Sequence, residues 1–301
     1  MKKLLVILLV FLTLFGCQKN VQPEPQPEPA KAVKVIAPTG APALNLINYV
    51  AEFGKDTVTT TQGPDALQAA LLNPESEYDV IIAPINLGTN LILNKGAAYK
   101  LAGIVTWGNL YLVENVDLKD SDKEVALFGE AAVPGKIVKS LDLTFKQEVK
   151  WYSAVSEVSA ALIAGNCSYG ILAEPVLTAT LAKASQSGVN LAVTSDLQEL
   201  FNQKYGTNGY PQAALFVSNK AIAEKKADVD ELIKQVASVT SADVAKIEGD
   251  EEFYGIPSVA VVTKAFDGMN IGYKAATEAT NEIAAFLKLF NITDFDAAIL
   301  K

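Results

Sequence analysis

The chain contains no histidine and, across all 301 residues, no arginine, so every one of its 25 cationic side chains is a lysine. Without histidine there is no Ser-His or Cys-His nucleophile, no imidazole general base and no histidine-ligated zinc or copper. Without arginine there is no bidentate clamp for a carboxylate, sulfonate or phosphate, and an anion would have to be held by lysine, hydroxyls or backbone N–H groups. Two cysteines exclude a disulfide framework. A formal charge of −9 disfavours nucleic acid and polybasic membrane contact. These absences remove most catalytic readings, and no catalytic residue, metal site or cofactor is expected.

Half of the residues are apolar, and the length allows two domains with substantial cores. Met1-Lys2-Lys3 and the following apolar run up to Gly16-Cys17 read as a positive n-region and h-region. That run falls short of the roughly 18–20 residues that span a bilayer. Leu14-Phe15-Gly16-Cys17 resembles the bacterial lipobox, which implies cleavage before Cys17 and a lipid on its sulfur. Removing residues 1–16 takes away Lys2 and Lys3 and changes the formal charge from −9 to −11. Gln18 to Lys31 carries proline at every second position over much of its length, and so is expected to be extended. Its 14 or so residues, at about 3.1 Å each, reach roughly 40 Å. The N-terminus thus predicts a leader (1–16) and a lipidated tether (17–31), with a globular body beyond.

The body opens with Val33, Val35 and Ile36, an apolar run of buried-strand type ended by Pro38-Thr39-Gly40. Pro42 suits a first helical turn, and Leu44, Ile47 and Val50 follow at helical spacing. Strand signals recur at Thr57–Thr61, Asp79–Ala83, Val125–Phe128, Val149–Tyr152 and Ala213–Val217. Lys100–Val113 reads as two strands joined near Gly108. Gly63-Pro64-Asp65 starts a helix with Leu67, Ala70 and Leu71 inward, and Ser153 or Ser156 can cap one that runs to about Ala164. Tyr169 to Pro175 repeats the pattern of Tyr78 to Pro84, tyrosine to proline at equal spacing. Two βαβαβα halves follow from this. Ile222–Val244 and Ile271–Phe290 are the longest helical candidates.

Four segments carry a family resemblance: Ala37-Pro38-Thr39-Gly40-Ala41-Pro42-Ala43, Asp79 to Asn86, Thr106-Trp107-Gly108-Asn109-Leu110-Tyr111, and Ile171-Leu172-Ala173-Glu174-Pro175. With the lipobox and tether, they resemble the two-lobed type II periplasmic-binding-protein family of ABC-importer lipoproteins, the group with nitrate, taurine, sulfonate and thiamine-pyrimidine binders. The resemblance implies an α/β fold with residues 32–106 and 218–301 in one lobe and 107–217 in the other. It places the crossings near Thr106–Asn109 and Ala213–Ser218, and a ligand cleft between the lobes. It further implies a small-molecule solute, an ABC permease with its ATPase as partners, a monomer, and a membrane attachment through Cys17 that faces the periplasm or the exterior.

Candidate ligand residues follow. Thr39, Gly40 and Ala41 offer a hydroxyl and backbone N–H groups. Asn86, after a buried strand, is either a ligand contact or a helix cap. Thr106, Trp107 and Asn109 sit at the first crossing, where the indole either stacks on a flat ligand or packs between lobes. Tyr152 and Ser153 end a strand, and Glu174 ends another with a carboxylate that suits an amino group. Glu248, Asp250, Glu251 and Glu252 read as a solvated loop, lacking calcium-loop spacing, and Cys167 as a small buried residue. The rival readings are a two-lobed enzyme of pyrimidine synthesis or dehydration, and a surface sensor or adhesin.

Overall fold

The computed structural model of the protein describes residues 29–300. The leader, Cys17 and nearly all of the tether lie outside the described residues. Lys31–Lys301 forms one compact unit. Its strands, in chain order, are β1 (Val35–Pro38), β2 (Val58–Thr61), β3 (Val80–Pro84), β4 (Tyr99–Trp107), β5 (Leu110–Asn115) and β6 (Glu124–Phe128). They continue with β7 (Val149–Tyr152), β8 (Cys167–Ala173), β9 (Leu191–Asp196), β10 (Pro211–Ser218) and β11 (Ile271–Ala275).

Two sheets result. The first has six strands in the order β11-β4-β10-β3-β1-β2, and the second has five in the order β7-β6-β8-β5-β9. β1, β2 and β3 run parallel, as do β7, β6 and β8, while β10 pairs antiparallel with both β3 and β4. The central strands are buried on both faces, Val35, Ile36 and Ala37 in β1 and Val80 to Ala83 in β3. That explains their unbroken apolar runs, since helices cover both sides of a parallel sheet. The helix Asp65–Leu72 buries Leu67, Ala70 and Leu71, as its spacing predicts.

The chain passes between the lobes twice. The first passage is Gly108-Asn109, between β4 and β5. The second precedes β10. The two passages touch: a Cβ on Gly108 would lie 2.4 Å from the Tyr210 ring, so only glycine fits. Tyr210 is fully buried and stacks on Phe286, with ring centroids 5.8 Å apart.

Four sequence expectations are revised. β10 belongs to the first sheet, so residues 211–217 belong with the first lobe and the second crossing lies before Pro211 rather than near Ala213–Ser218. Ile271–Ala275 is a strand, paired with β4, and helix resumes only at Thr280–Leu287. The Ile222–Val244 segment is divided among Asn219–Glu224, Lys226–Ala237 and the 3₁₀ turn Ser241–Ile247. Neither Ser153 nor Ser156 caps the helix Val155–Ile163. The Glu157 carboxylate does so, accepting from Ser153 N (2.8 Å), Ser153 Oγ (2.7 Å) and Ala154 N (3.1 Å).

Candidate functional site

A cleft of about 500 Å³ opens between the lobes. Pro38 and Thr39 close β1, Pro84 closes β3, Phe128 closes β6, and Ala173 and Glu174 close β8. All are carboxyl ends of parallel strands, where open α/β sheets bind ligands. Thr106, Asn109 and Gln212 line it from the two crossings. A second hollow, of about 600 Å³, is lined by Lys119, Asp122, Gln147, Glu148 and Tyr169 at the opposite, amino ends of β7 and β8. The first cleft is the better site because both lobes and both crossings converge there.

Thr39, Gly40, Ala41, Thr106, Asn109 and Glu174 all line this cleft. The chemistry of Thr39 and Gly40 differs from expectation. Thr39 N–H donates to Thr61 O (2.9 Å) and Gly40 N–H to Tyr254 O (2.7 Å), so neither is available to a ligand. Gly40 adopts φ 86°, a turn that favours glycine, and the helix after it is the single turn Ala41–Leu44. This loop does present the Thr39 hydroxyl, which has no hydrogen-bond partner among the described residues, and the N–H of Ala41 at the start of that turn.

Asn86, Trp107, Tyr152 and Ser153 do not line the cleft. Asn86 is the second residue of the helix Ile85–Lys95, whose N-cap is Pro84, so it is not a cap either, and its Oδ1 is buried without a partner. Trp107 faces away: its Nε1 donates to Gly272 O at 3.3 Å, and it walls a side hollow with Gln198 and Lys274. The Tyr152 hydroxyl donates to Glu124 Oε1 (2.6 Å), and Ser153 is engaged by Glu157. Phe128, Val155, Gln212 and Pro257, which line the cleft, were not among the sequence candidates. Phe128 ends β6 as Glu174 follows β8, and applying the strand-end rule to every strand would have found it.

Glu174 is 8% exposed and precedes the cis peptide to Pro175. Thr178 donates twice to it, N to Oε2 at 3.0 Å and Oγ1 to Oε1 at 2.8 Å. Burial holds its carboxyl above the usual carboxylate range, and the two bonds from Thr178 oppose that shift. Asn109 braces the same turn, its Nδ2 donating to Glu174 O (3.3 Å) while Glu174 N donates to Asn109 O (3.1 Å). Gly268 of the first lobe packs alongside. A Cβ there would lie 3.1 Å from Tyr111 Oη and 3.3 Å from Glu174 Cγ, and Tyr111 Oη donates to Gly268 O at 2.8 Å.

Glu174 is the one ionisable side chain among the described residues lining the cleft; no lysine reaches it. The rest are mainly apolar or uncharged, with Phe128, Val155 and several prolines prominent. Among the described residues no group of three or more Cys, Asp or Glu is placed to hold a metal, and none forms a helix long and apolar enough to cross a membrane. Asp250 of the acidic loop pairs with Lys55. Cys167 is buried in β8, its thiol pushed up to about 12 by burial.

No family model matches the chain, and no curated protein matches it in sequence. Solved structures do match. An ABC transporter from Parabacteroides distasonis is 24% identical with a TM-score of 0.70, covering 87% of this chain and 92% of its own. The periplasmic aliphatic sulphonate binding protein SsuA from Escherichia coli is 12% identical with a TM-score of 0.62, covering 90% and 92%. The periplasmic nitrate-binding protein NrtA from Synechocystis PCC 6803 is 11% identical with a TM-score of 0.54, covering 83% and 74%. With two helix-flanked sheets and a cleft at the strand ends, the chain has the two-lobed α/β fold of the type II periplasmic binding proteins that serve ABC transporters.

Proposed function

We propose that the protein is a lipid-anchored solute-binding component of an ABC importer. It is held to the membrane by a lipid on Cys17 and carries a small organic solute to a permease and its ATPase from the periplasmic or outer side. The observation that supports this reading is the interlobe cleft: about 500 Å³, walled by strand ends from both sheets and large enough for a small molecule. Binding and release suffice; no bond need be made or broken.

The cargo differs in charge from that of the two named neighbours. Sulfonate and nitrate are anions, whereas the ionisable group at this cleft is a carboxylate and no cation faces it. An anion brought beside Glu174 would meet like charge with nothing to offset its desolvation. The cargo is therefore a neutral, zwitterionic or amino-bearing molecule, such as a thiamine-pyrimidine-like heterocycle.

Native mass spectrometry of residues 31–301, purified without added ligand, tests this. A discrete adduct lost on denaturation is expected. Taurine or nitrate would produce no shift in thermal stability, whereas a ligand at about 100 times its Kd adds about 2.7 kcal/mol. Tight binding of taurine or nitrate would overturn the assignment of cargo charge. Release of a chemically altered product would overturn the transport reading.

A further inference from the structure

Asparagine is followed by glycine at one place in the chain, Asn208-Gly209, and that place is the second passage between the lobes, just before β10. The pair is chemically labile. A backbone nitrogen that has lost its proton can attack the side-chain carbonyl of the residue before it. A glycine nitrogen does so most freely, because no Cβ stands in the way. The other asparagines are followed by bulkier residues, such as Leu46, Leu87 and Lys95.

Of the two reacting groups at the crossing, one is free and the other is held. The Asn208 side chain is exposed at the side hollow walled by Trp107 and Gln198, and its amide has no hydrogen-bond partner among the described residues. Gly209 is buried, and its N–H donates to Asn202 Oδ1. Thr207 Oγ1 lies 3.3 Å from the same oxygen. A backbone N–H can only donate, so the oxygen of the Asn202 amide is the end that faces it. Asn202 is placed there by the helix Leu197–Tyr205, whose end is turned back at Gly206, with φ 67° and its N–H donating to Asn202 O at 2.8 Å. An acceptor bonded to the N–H favours the neutral amide over the nitrogen anion that attacks. The bond therefore slows the reaction.

The surroundings of Gly209 leave little room for a change of backbone. A Cβ there would lie 2.9 Å from Trp107 Cε3 and 3.0 Å from Gln198 Oε1, and φ is 122°. The next residue, Tyr210, is fully buried.

We propose that Asn208 is a deamidation site at the second crossing, and that Asn202 is the residue that keeps it intact while the chain is folded. The Gly209 nitrogen gives its proton to hydroxide and attacks Asn208 Cγ. The N–Cγ bond forms, the Cγ–Nδ2 bond breaks, and Nδ2 leaves as ammonia after taking a proton from water. Water then opens the imide ring at either carbonyl and leaves aspartate or isoaspartate at position 208. One amide and one water become one acid and one ammonia, with no oxidation or reduction. Either product places a carboxylate at the hollow that Lys274 also lines. Isoaspartate in addition routes the backbone through an extra methylene, beside a glycine already in contact on two sides, so that form is expected to melt below the unmodified protein. None of this depends on the identity of the cargo.

Residues 31–301 would be held at mildly alkaline pH, where the attacking anion is favoured. The peptide carrying Asn208 would be followed by mass spectrometry, with aspartate and isoaspartate separated by chromatography. The folded wild type is expected to convert more slowly than the same chain in urea. Asn202→Ala, still folded, is expected to convert about five- to ten-fold faster than wild type, the loss of one hydrogen bond. Asn202→Asp keeps an acceptor and restores the slow rate. Tyr49→Phe breaks two buried hydrogen bonds outside the crossing and is expected to leave the rate unchanged although it lowers stability. Equal rates for the folded and unfolded wild type, no acceleration in Asn202→Ala, or equal acceleration in Tyr49→Phe would overturn the protective role of Asn202. Absence of conversion even in urea would overturn the site itself.

Discussion

Gly88→Ala pits helix propensity against packing. Gly88 lies within the helix Ile85–Lys95, and on an exposed helix the added methyl would stabilise by about 1 kcal/mol. Here it meets β10. A Cβ at position 88 would lie 2.2 Å, 2.4 Å and 2.7 Å from Cζ, Cε2 and Cε1 of Phe216, against carbon contact distances of about 3.5–4.0 Å. Phe216 is fully buried and pairs in the sheet with Ile81 of β3 on one side and Leu101 of β4 on the other. The ring has no route to solvent, so ring or helix must shift by about 1 Å or more. Overpacking of this kind costs about 1–3 kcal/mol, and the contact is severe enough to place it in the upper part of that range. After the propensity gain, a net loss of about 1–2 kcal/mol remains. For a chain of this size that lowers Tm by about 2–4 °C. Calorimetric melting of residues 31–301 would show it, and in a Phe216→Leu background the same alanine should be neutral or stabilising. A higher Tm for Gly88→Ala alone, or the same loss in both backgrounds, would refute the reasoning.

Tyr49→Phe removes a fully buried hydroxyl that accepts from Val33 N (2.7 Å) and donates to Val33 O (2.8 Å). Two backbone groups are orphaned, so a loss of about 2–4 kcal/mol in urea unfolding is expected, and a change below about 0.5 kcal/mol would contradict it. Glu174→Gln should raise stability at neutral pH even as it weakens ligand binding. Because burial holds the native carboxyl above its ordinary value, the folded chain binds that proton more tightly than the unfolded chain. Wild-type stability therefore falls as pH rises from about 4.5 through the raised value, whereas the glutamine is indifferent to pH. Urea midpoints at several pH values should show the variant's advantage growing with pH; an advantage that is constant, or that shrinks, would sink the idea.

Local residue pattern was enough to reveal the strands that run parallel and lie inside. Val35 to Ala37, Val80 to Ala83 and Ile171-Leu172 of the Tyr169–Pro175 repeat are apolar because both their faces are covered, and that condition marks every residue of such a run. Gly108 likewise marks the first crossing, since the Tyr210 ring leaves room for no side chain there. The leader and tether readings rest on composition and lie outside the described residues.

Which residues enter the cleft was decided by register. Thr106 and Trp107 are neighbours on β4, and side chains of a strand alternate between faces. Pairing with β10 and β11 sends the threonine to the cleft and the indole to the far side, and a shift of one residue would have exchanged them. The same long-range pairing placed Pro211–Ser218 in the first lobe and made a strand of Ile271–Ala275. Thr39 and Gly40 looked like anion-binding backbone, but their N–H groups are consumed by the carbonyls of Thr61 and Tyr254, remote in sequence. A local pattern records how buried a residue must be; which partner buries it, and on which face, is settled only when distant segments pair.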